Sequence, residues 1–140
     1  MVLFLMAQDL GTVEIGLAEY NGKLLACKTF QSAPEKMLFL TQEVLAHIGK
    51  TTADLDGVVV ITGPGSFTST RLAVTMMNGL SFVRNLPILG WENSERRPLR
   101  DLMESPSWPE DLGKAPPGTF VQPVYDRPAH ITLRRNRPLI

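Results

Sequence analysis

The sequence predicts an α/β lobe, a mixed β-sheet with helices, whose elements run β-β-β-α-β-α-β. Three observations carry that prediction. The first thirty residues hold three short apolar or alternating runs joined by tight links, as antiparallel strands require. Residues 57–61 (Gly-Val-Val-Val-Ile) are a continuous β-branched run, as expected of a strand buried on both faces. That run is flanked by two stretches of helical periodicity, and such crossovers bring strands together in parallel, on the right-handed side.

The elements follow in order. Met1 to Ala7 is apolar, but it has no positive flank and only seven residues. A signal peptide needs a charged start and a membrane span about 20 residues, so residues 2–8 read as a buried strand. In 13–19 the period-two alternation puts Val13, Ile15 and Leu17 on one face. Asn21-Gly22 is a strong hairpin signal, and a third strand runs from Lys23 to Phe30. Ser32-Ala-Pro-Glu35 fits a capping box. The helix it opens carries Met37, Leu38, Thr41, Val44, Leu45 and Ile48 along one stripe and stops at Gly49. The second helix, about Ser69 to Arg84, places Leu72, Met76, Gly79, Leu80 and Val83 on its core side. Pro87-Ile-Leu89 closes the lobe as a short strand. Three tightly linked strands followed by helix–strand–helix–strand match half of an actin-like molecule or a ribonuclease-H-like domain.

Composition changes sharply near residue 91. Three of the 11 prolines precede it and eight follow, from Pro98 to Pro138. Proline fixes φ and removes a donor, so the chain divides into a lobe at 1–91 and an irregular, Pro-rich tail at 92–140. The 140 residues are 44% hydrophobic and 20% charged, ordinary for a globular domain. The formal net charge is zero, which argues against a protein that grips phosphate backbones unaided. A lone cysteine, Cys27, forms no internal disulfide and makes a reducing cytoplasm the expected location. His47 and His130 lack ligand-type neighbours at metal spacing, so no metal site is expected. Arg134, Arg135 and Arg137 read as a solvated end, with a supporting contact to a tRNA backbone as the lesser reading.

The informative segment is Thr62-Gly-Pro-Gly-Ser-Phe-Thr-Ser-Thr-Arg71, between the buried strand and the second helix. Glycines and a proline there deliver hydroxyls and free N–H groups to a helix N-terminus, a place suited to anions. A phosphate-binding P-loop would need a lysine that is absent. A dinucleotide fingerprint would need a third glycine where Thr68 stands and an acid about 20 residues on, whereas the next acid is Glu92. The plain alternative is a tight strand-to-helix turn capped by Thr68 or Ser69. Ser66 as a nucleophile would need a histidine that the sequence does not place beside it.

Gly63-Pro-Gly-Ser-Phe-Thr68, with Arg71 three residues on and Asn78-Gly-Leu80 later, resembles the signature of the TsaB (YeaZ) family. Asp54-Leu-Asp56 ahead of the strand, Leu86-Pro-Ile-Leu-Gly90 after the helix and Pro123-Val-Tyr-Asp-Arg127 in the tail are similar too. The resemblance covers residues 1–91 and 120–133. There are departures. Ala7 stands where the family carries an acid, Ala33 where it often has histidine, and Ser69 where a glycine follows the threonine. Family members also carry a second lobe where this chain has some 30 irregular residues, so it reads as a one-lobe, shortened relative.

The resemblance implies an actin-like lobe that is not itself an enzyme and needs no cofactor. It implies a scaffold for synthesis of threonylcarbamoyladenosine beside the tRNA anticodon, touching tRNA only indirectly. The partner would be a TsaD-type catalytic subunit gripped by the two helices, with a TsaE-type ATPase in the same assembly and a homodimer when alone. Gly63, Pro64, Gly65, Ser66, Phe67, Thr68 and Arg71 would form the signature loop, with a weak anion or nucleotide contact at most.

Helix faces give an independent expectation. Phe39 lies well away from the core stripe, near Glu43 and Ala46, with Leu40 and His47 along the border. Ala73, Met77 and Ser81 form a small-residue strip read as outward-facing, which lets a partner helix approach. The competing reading has the tail cover Phe39. Two rival functions are a degenerate actin-like regulator or nucleotide binder and a ribonuclease-H-type nuclease. The nuclease would draw on Asp9, Glu43, Asp54 or Asp56, yet Asp56 sits at the entrance of its strand, where it cannot face Asp9.

Overall fold

The apolar first run becomes β1 (Val2–Met6), whose five residues are all buried. In the computed structural model, which describes residues 1–125, it is the central strand of a five-stranded sheet ordered β3-β2-β1-β4-β5. β2 (Thr12–Ala18) pairs with it antiparallel, Leu5 opposite Ile15, and β3 (Leu24–Gln31) extends the meander to one edge. β4 (Gly57–Gly63) lies parallel to β1 on the other side, and β5 (Ile88–Glu92) parallel to β4. Strand composition follows position. β1 and β4 are covered on both faces, buried along their length and apolar but for Thr62, whereas edge strand β3 carries Lys28, Thr29 and Gln31. The mixed five-stranded α/β lobe is the expected one.

Helices α1 (Met37–His47) and α2 (Phe67–Arg84) cover one face, where Leu3, Leu5, Val58 and Val60 meet Val44, Leu45, Val74 and Met77. The other face holds Val2, Phe4, Val59 and Ile61. It is sealed by two short helices, α3 (Leu99–Met103) and α4 (Trp108–Lys114). Trp108 is the keystone of that layer. It packs edge-on to Phe4 with ring centroids 4.9 Å apart, and its indole N–H donates to the Met103 carbonyl at 2.9 Å.

Several expectations need correction. The segment from 92 on is not irregular throughout, because α3 and α4 lie in it. The prolines there punctuate helices instead of forbidding them. Pro98 precedes α3, and Pro109 sits in the first turn of α4, where no N–H bond is lost. The Ser32–Glu35 capping box does not form. Residues Pro34–Lys36 make a 3-10 turn with no side-chain cap, and the Ser32 hydroxyl donates to the Ala33 carbonyl. A capping box forms instead between Thr51 and Asp54. α2 is capped by Ser66, not by Thr68 or Ser69. Leu38, expected in the core stripe, is 51% exposed. On α2 the two sides are exchanged: Ala73, Met77 and Ser81 are buried against the sheet, while Leu72, Met76 and Leu80 are only partly covered. His130, Arg134, Arg135, Arg137 and the end of the 120–133 match lie outside the described residues.

Candidate functional site

Two neighbouring features carry the sequence-derived expectations: the Gly63–Arg71 loop and the outward side of α1 and α2. The loop leaves β4 at its C-terminal end, beside the exit of β1, and is held from both sides. The Ser66 N–H donates to the Gln8 carbonyl at 2.7 Å, and the Gln8 side-chain amide donates to the Pro64 carbonyl at 2.8 Å. Gln8 is in turn locked to Asn93, whose amide donates to Gln8 Oε1 at 2.8 Å. The Asn93 N–H closes on the Gly63 carbonyl at 2.7 Å. Both side chains are buried, and pairing their amides with backbone satisfies groups that would otherwise be costly.

The loop glycines are steric necessities. Gly63 has φ +124, and a Cβ there would stand 2.0 Å from the Val124 carbonyl oxygen. A Cβ on Gly65 would stand 2.6 Å from the Gln8 carbonyl. Ser66 Oγ accepts from the Ser69 N–H and from the Ser69 hydroxyl, so the cap uses the nearest anion-binding donor internally. Phe67 stacks against Tyr125 at 4.7 Å, and the Arg71 guanidinium lies 5.2 Å from the Phe67 ring centre. Thr68 is exposed. The Thr70 hydroxyl is buried without a partner. Gln8 and Asn93 escape a motif reading, and although Val124 and Tyr125 lie in the 123–127 motif, nothing in the sequence places that motif against the loop.

The outward side is mixed. Phe39 is 60% exposed, Glu43, Ala46 and His47 are exposed, and Leu40 is half-buried. These stand where the sequence places them. No described residue of the tail shields Phe39 to that extent. Ala46 also borders a shallow, mainly apolar groove of about 280 Å³ lined by Gln42, Leu45, Lys50, Thr51 and Thr52. Ala73, Met77 and Ser81 do not join this surface, for they face the sheet. The exposed or half-buried large apolar residues of α2 are Phe67, Leu72, Met76, Leu80, Phe82 and Val83.

Among the described residues no group of three His, Cys, Asp or Glu side chains is placed to hold a metal ion. Ala7, at the exit of β1, is buried in the first core layer and brings no carboxylate to the loop. Elsewhere, burial pushes the Cys27 thiol up, helped by Glu14 nearby, which keeps it protonated and a poor nucleophile.

Glu14 on β2 faces the start of α3. Burial raises its carboxyl above the ordinary 4.5 and Asp9 adds repulsion, while the Leu99 N–H and the Thr29 hydroxyl pull the other way. The folded chain thus holds a proton that the unfolded chain has already released, so stability declines as pH rises from 4.5 through the folded value. Glu14→Gln is expected to flatten that decline and to leave the variant more stable than the parent at neutral pH. Urea midpoints measured on both sides of the carboxylate range check this.

Residues 31–96 match the family model described as TsaD, tRNA N6-adenosine threonylcarbamoyltransferase. The chain is similar to the tRNA N6-adenosine threonylcarbamoyltransferase of Methylobacillus flagellatus, 36% identical over 69 residues, 49% of this chain and 20% of that protein. The enzyme of the same description from Geobacter sp. (strain M21) is 31% identical over 89 residues, 64% of this chain and 26% of that protein. The chain therefore spans between 20% and 26% of the length of these two relatives. Among solved structures, YeaZ from Pseudomonas aeruginosa superposes with a TM-score of 0.59 at 22% identity, covering 66% of this chain and 44% of that one. The fold is that of a YeaZ (TsaB) lobe, as the signature loop leads one to expect. The sequence matches add a partial likeness to the transferases.

Proposed function

We propose that this lobe serves tRNA threonylcarbamoyladenosine synthesis as a non-catalytic subunit, docking a TsaD-type transferase through the outward sides of α1 and α2. The likeness in fold to YeaZ and the sequence likeness to the transferases support a place in that machinery. One observation carries the docking role: Phe39 is 60% exposed on α1, beside Leu38 at 51% and the half-buried Leu40. A phenyl ring left in water forgoes roughly 1.5–3 kcal/mol of burial, which a partner helix would supply. On α2 the contacting side chains would be Leu72, Met76 and Val83, not Ala73, Met77 and Ser81. The further parts of the proposal are a TsaE-type ATPase in the assembly, a homodimer when the partner is absent, only indirect contact with tRNA, and residence in the cytoplasm. No helix among the described residues is long and apolar enough to cross a membrane.

A second reading, that the chain is a lobe of a catalytic unit, draws on the transferase matches. The two readings separate in one experiment. The purified chain is mixed with a TsaD-type subunit, and binding and threonylcarbamoyl transfer to tRNA are measured with each protein alone and with both.

Docking predicts binding, with transfer only when the TsaD-type subunit is present. Phe39→Asp and Val83→Asp, both at exposed positions, are each expected to weaken binding about thirtyfold, as a ~2 kcal/mol hot spot would. Far-UV circular dichroism should not change. Undiminished binding by both variants would rule out this face.

A further inference from the structure

Residues Phe120–Tyr125 run along the lobe as an extended strap, and the lobe is shaped to receive it. The Asn78 side chain grips the Val121 peptide unit from both ends: its amide donates to the Val121 carbonyl at 3.0 Å and its oxygen accepts the Val121 N–H at 3.0 Å. A helix side chain thereby imitates a strand partner. Gly90 on β5 leaves room for Val121, since a Cβ there would come within 3.0 Å of the valine side chain. Further on, the Val124 N–H donates to the Thr62 carbonyl at 2.7 Å, and the Val124 carbonyl occupies the space left by the missing Gly63 side chain. The strap ends with Tyr125 against Phe67 and bridged to Gly65, so its last residues touch the signature loop at three of its positions. At its start, Phe120 stacks on Phe82 at 6.3 Å with both rings largely exposed.

The geometry points to a latch: engagement of the Phe120–Tyr125 strap by Asn78 sets the conformation of the Gly63–Arg71 loop, with Asn78 as the positioning residue. The strap's own backbone is the ligand of this slot. Gly63, at φ +124, has one side against Val124 and its carbonyl on Asn93, so the strap and the Gln8–Asn93 pair hold the loop between them. Release of the strap would leave only the second clamp. The stretch leading to the strap, Ala115-Pro-Pro-Gly-Thr119, is largely exposed and turns at Gly118 with φ +82, so it can swing without disturbing α4.

The test is amide hydrogen exchange on the whole chain, comparing the parent with Asn78→Ala. Alanine favours helix, so faster exchange cannot be blamed on a weakened α2. Exchange is expected to quicken roughly tenfold, as on losing the two Asn78 hydrogen bonds at a modest net value each, at Val121 and Val124 and also at Ser66 in the loop and at Asn93, whose N–H holds the Gly63 carbonyl. Faster exchange confined to Val121 and Val124 would make the strap a passive cover, and no change at any of the four would show that Asn78 is not its latch; either result overturns the proposal. Asn78→Asp, which keeps the oxygen that accepts from the Val121 N–H and loses the amide that donates to its carbonyl, is the second variant should the first fail to fold. It is expected to give the same four-amide pattern, and a strap-only response or none would again overturn the proposal.

Discussion

Trp108→Ala should cost this lobe about 3–5 kcal/mol, the range for deleting a large buried aromatic side chain. Set against the ~5–15 kcal/mol total of a typical domain, that is a large share, and the melting temperature should fall by roughly 10 °C. The reason lies in what the indole closes. Trp108 is 0% exposed and is the largest fully buried side chain on the second face. Its edge meets Phe4 on the central strand, and its N–H satisfies the last-turn carbonyl of α3 at Met103. Removing it leaves a void under β1, unties α3 from α4 and opens the packing of Leu99, Leu102 and Leu112 together. Trp108→Phe keeps most of the area and loses the N–H, so it should recover more than half of the loss. Chemical denaturation followed by the second tryptophan, Trp91, reports both. A midpoint for Trp108→Ala within error of the parent would mean that the second layer contributes nothing to the fold.

That layer also marks where the sequence stops being readable. The five strands and two long helices are legible because each has enough residues for a period to show: alternation at Val13, Ile15 and Leu17, β-branching at 58–61, the Gly49 and Gly22 stops. α3 and α4 have 5 and 7 residues, too few for a 3.6-residue repeat, and proline density points the wrong way when the prolines sit at helix starts. The loop is legible as a motif but its supports are not. Gln8 reaches Asn93 across 85 positions and Asn78 reaches Val121 across 43, contacts that only the folded sheet brings about. Helical spacing puts Leu38 in the stripe of α1 with Met37, Thr41, Val44 and Leu45, yet a step of 100° from Met37 carries it past the sector that the sheet covers.

Met77→Glu separates the two sides of α2 and should nearly abolish folding, whereas Val83→Asp should leave it intact. α2 carries apolar residues on two adjacent flanks, Leu72, Met76 and Leu80 on one and Ala73, Val74 and Met77 on the next, so periodicity fixes the helix but not which flank meets the sheet. The sheet decides. β4 presents Val58 and Val60 to the helix, and small Ala73 and Ser81 let the backbone come close, with Met77 seated between them at 0% exposure. The Ser81 hydroxyl, an awkward group in such a layer, donates to the Leu86 carbonyl at 2.6 Å. A carboxylate at 77 would have no cation beside it and would lose its hydration, a burial that costs several kcal/mol even after relaxation. The expected result is a chain without a cooperative thermal transition at neutral pH. Met77→Leu, close in volume, should cost less than about 1.5 kcal/mol. If Met77→Glu folded normally and lost only its binding to a TsaD-type subunit, Met77 would be an interface residue after all, and the small-residue strip would face outward.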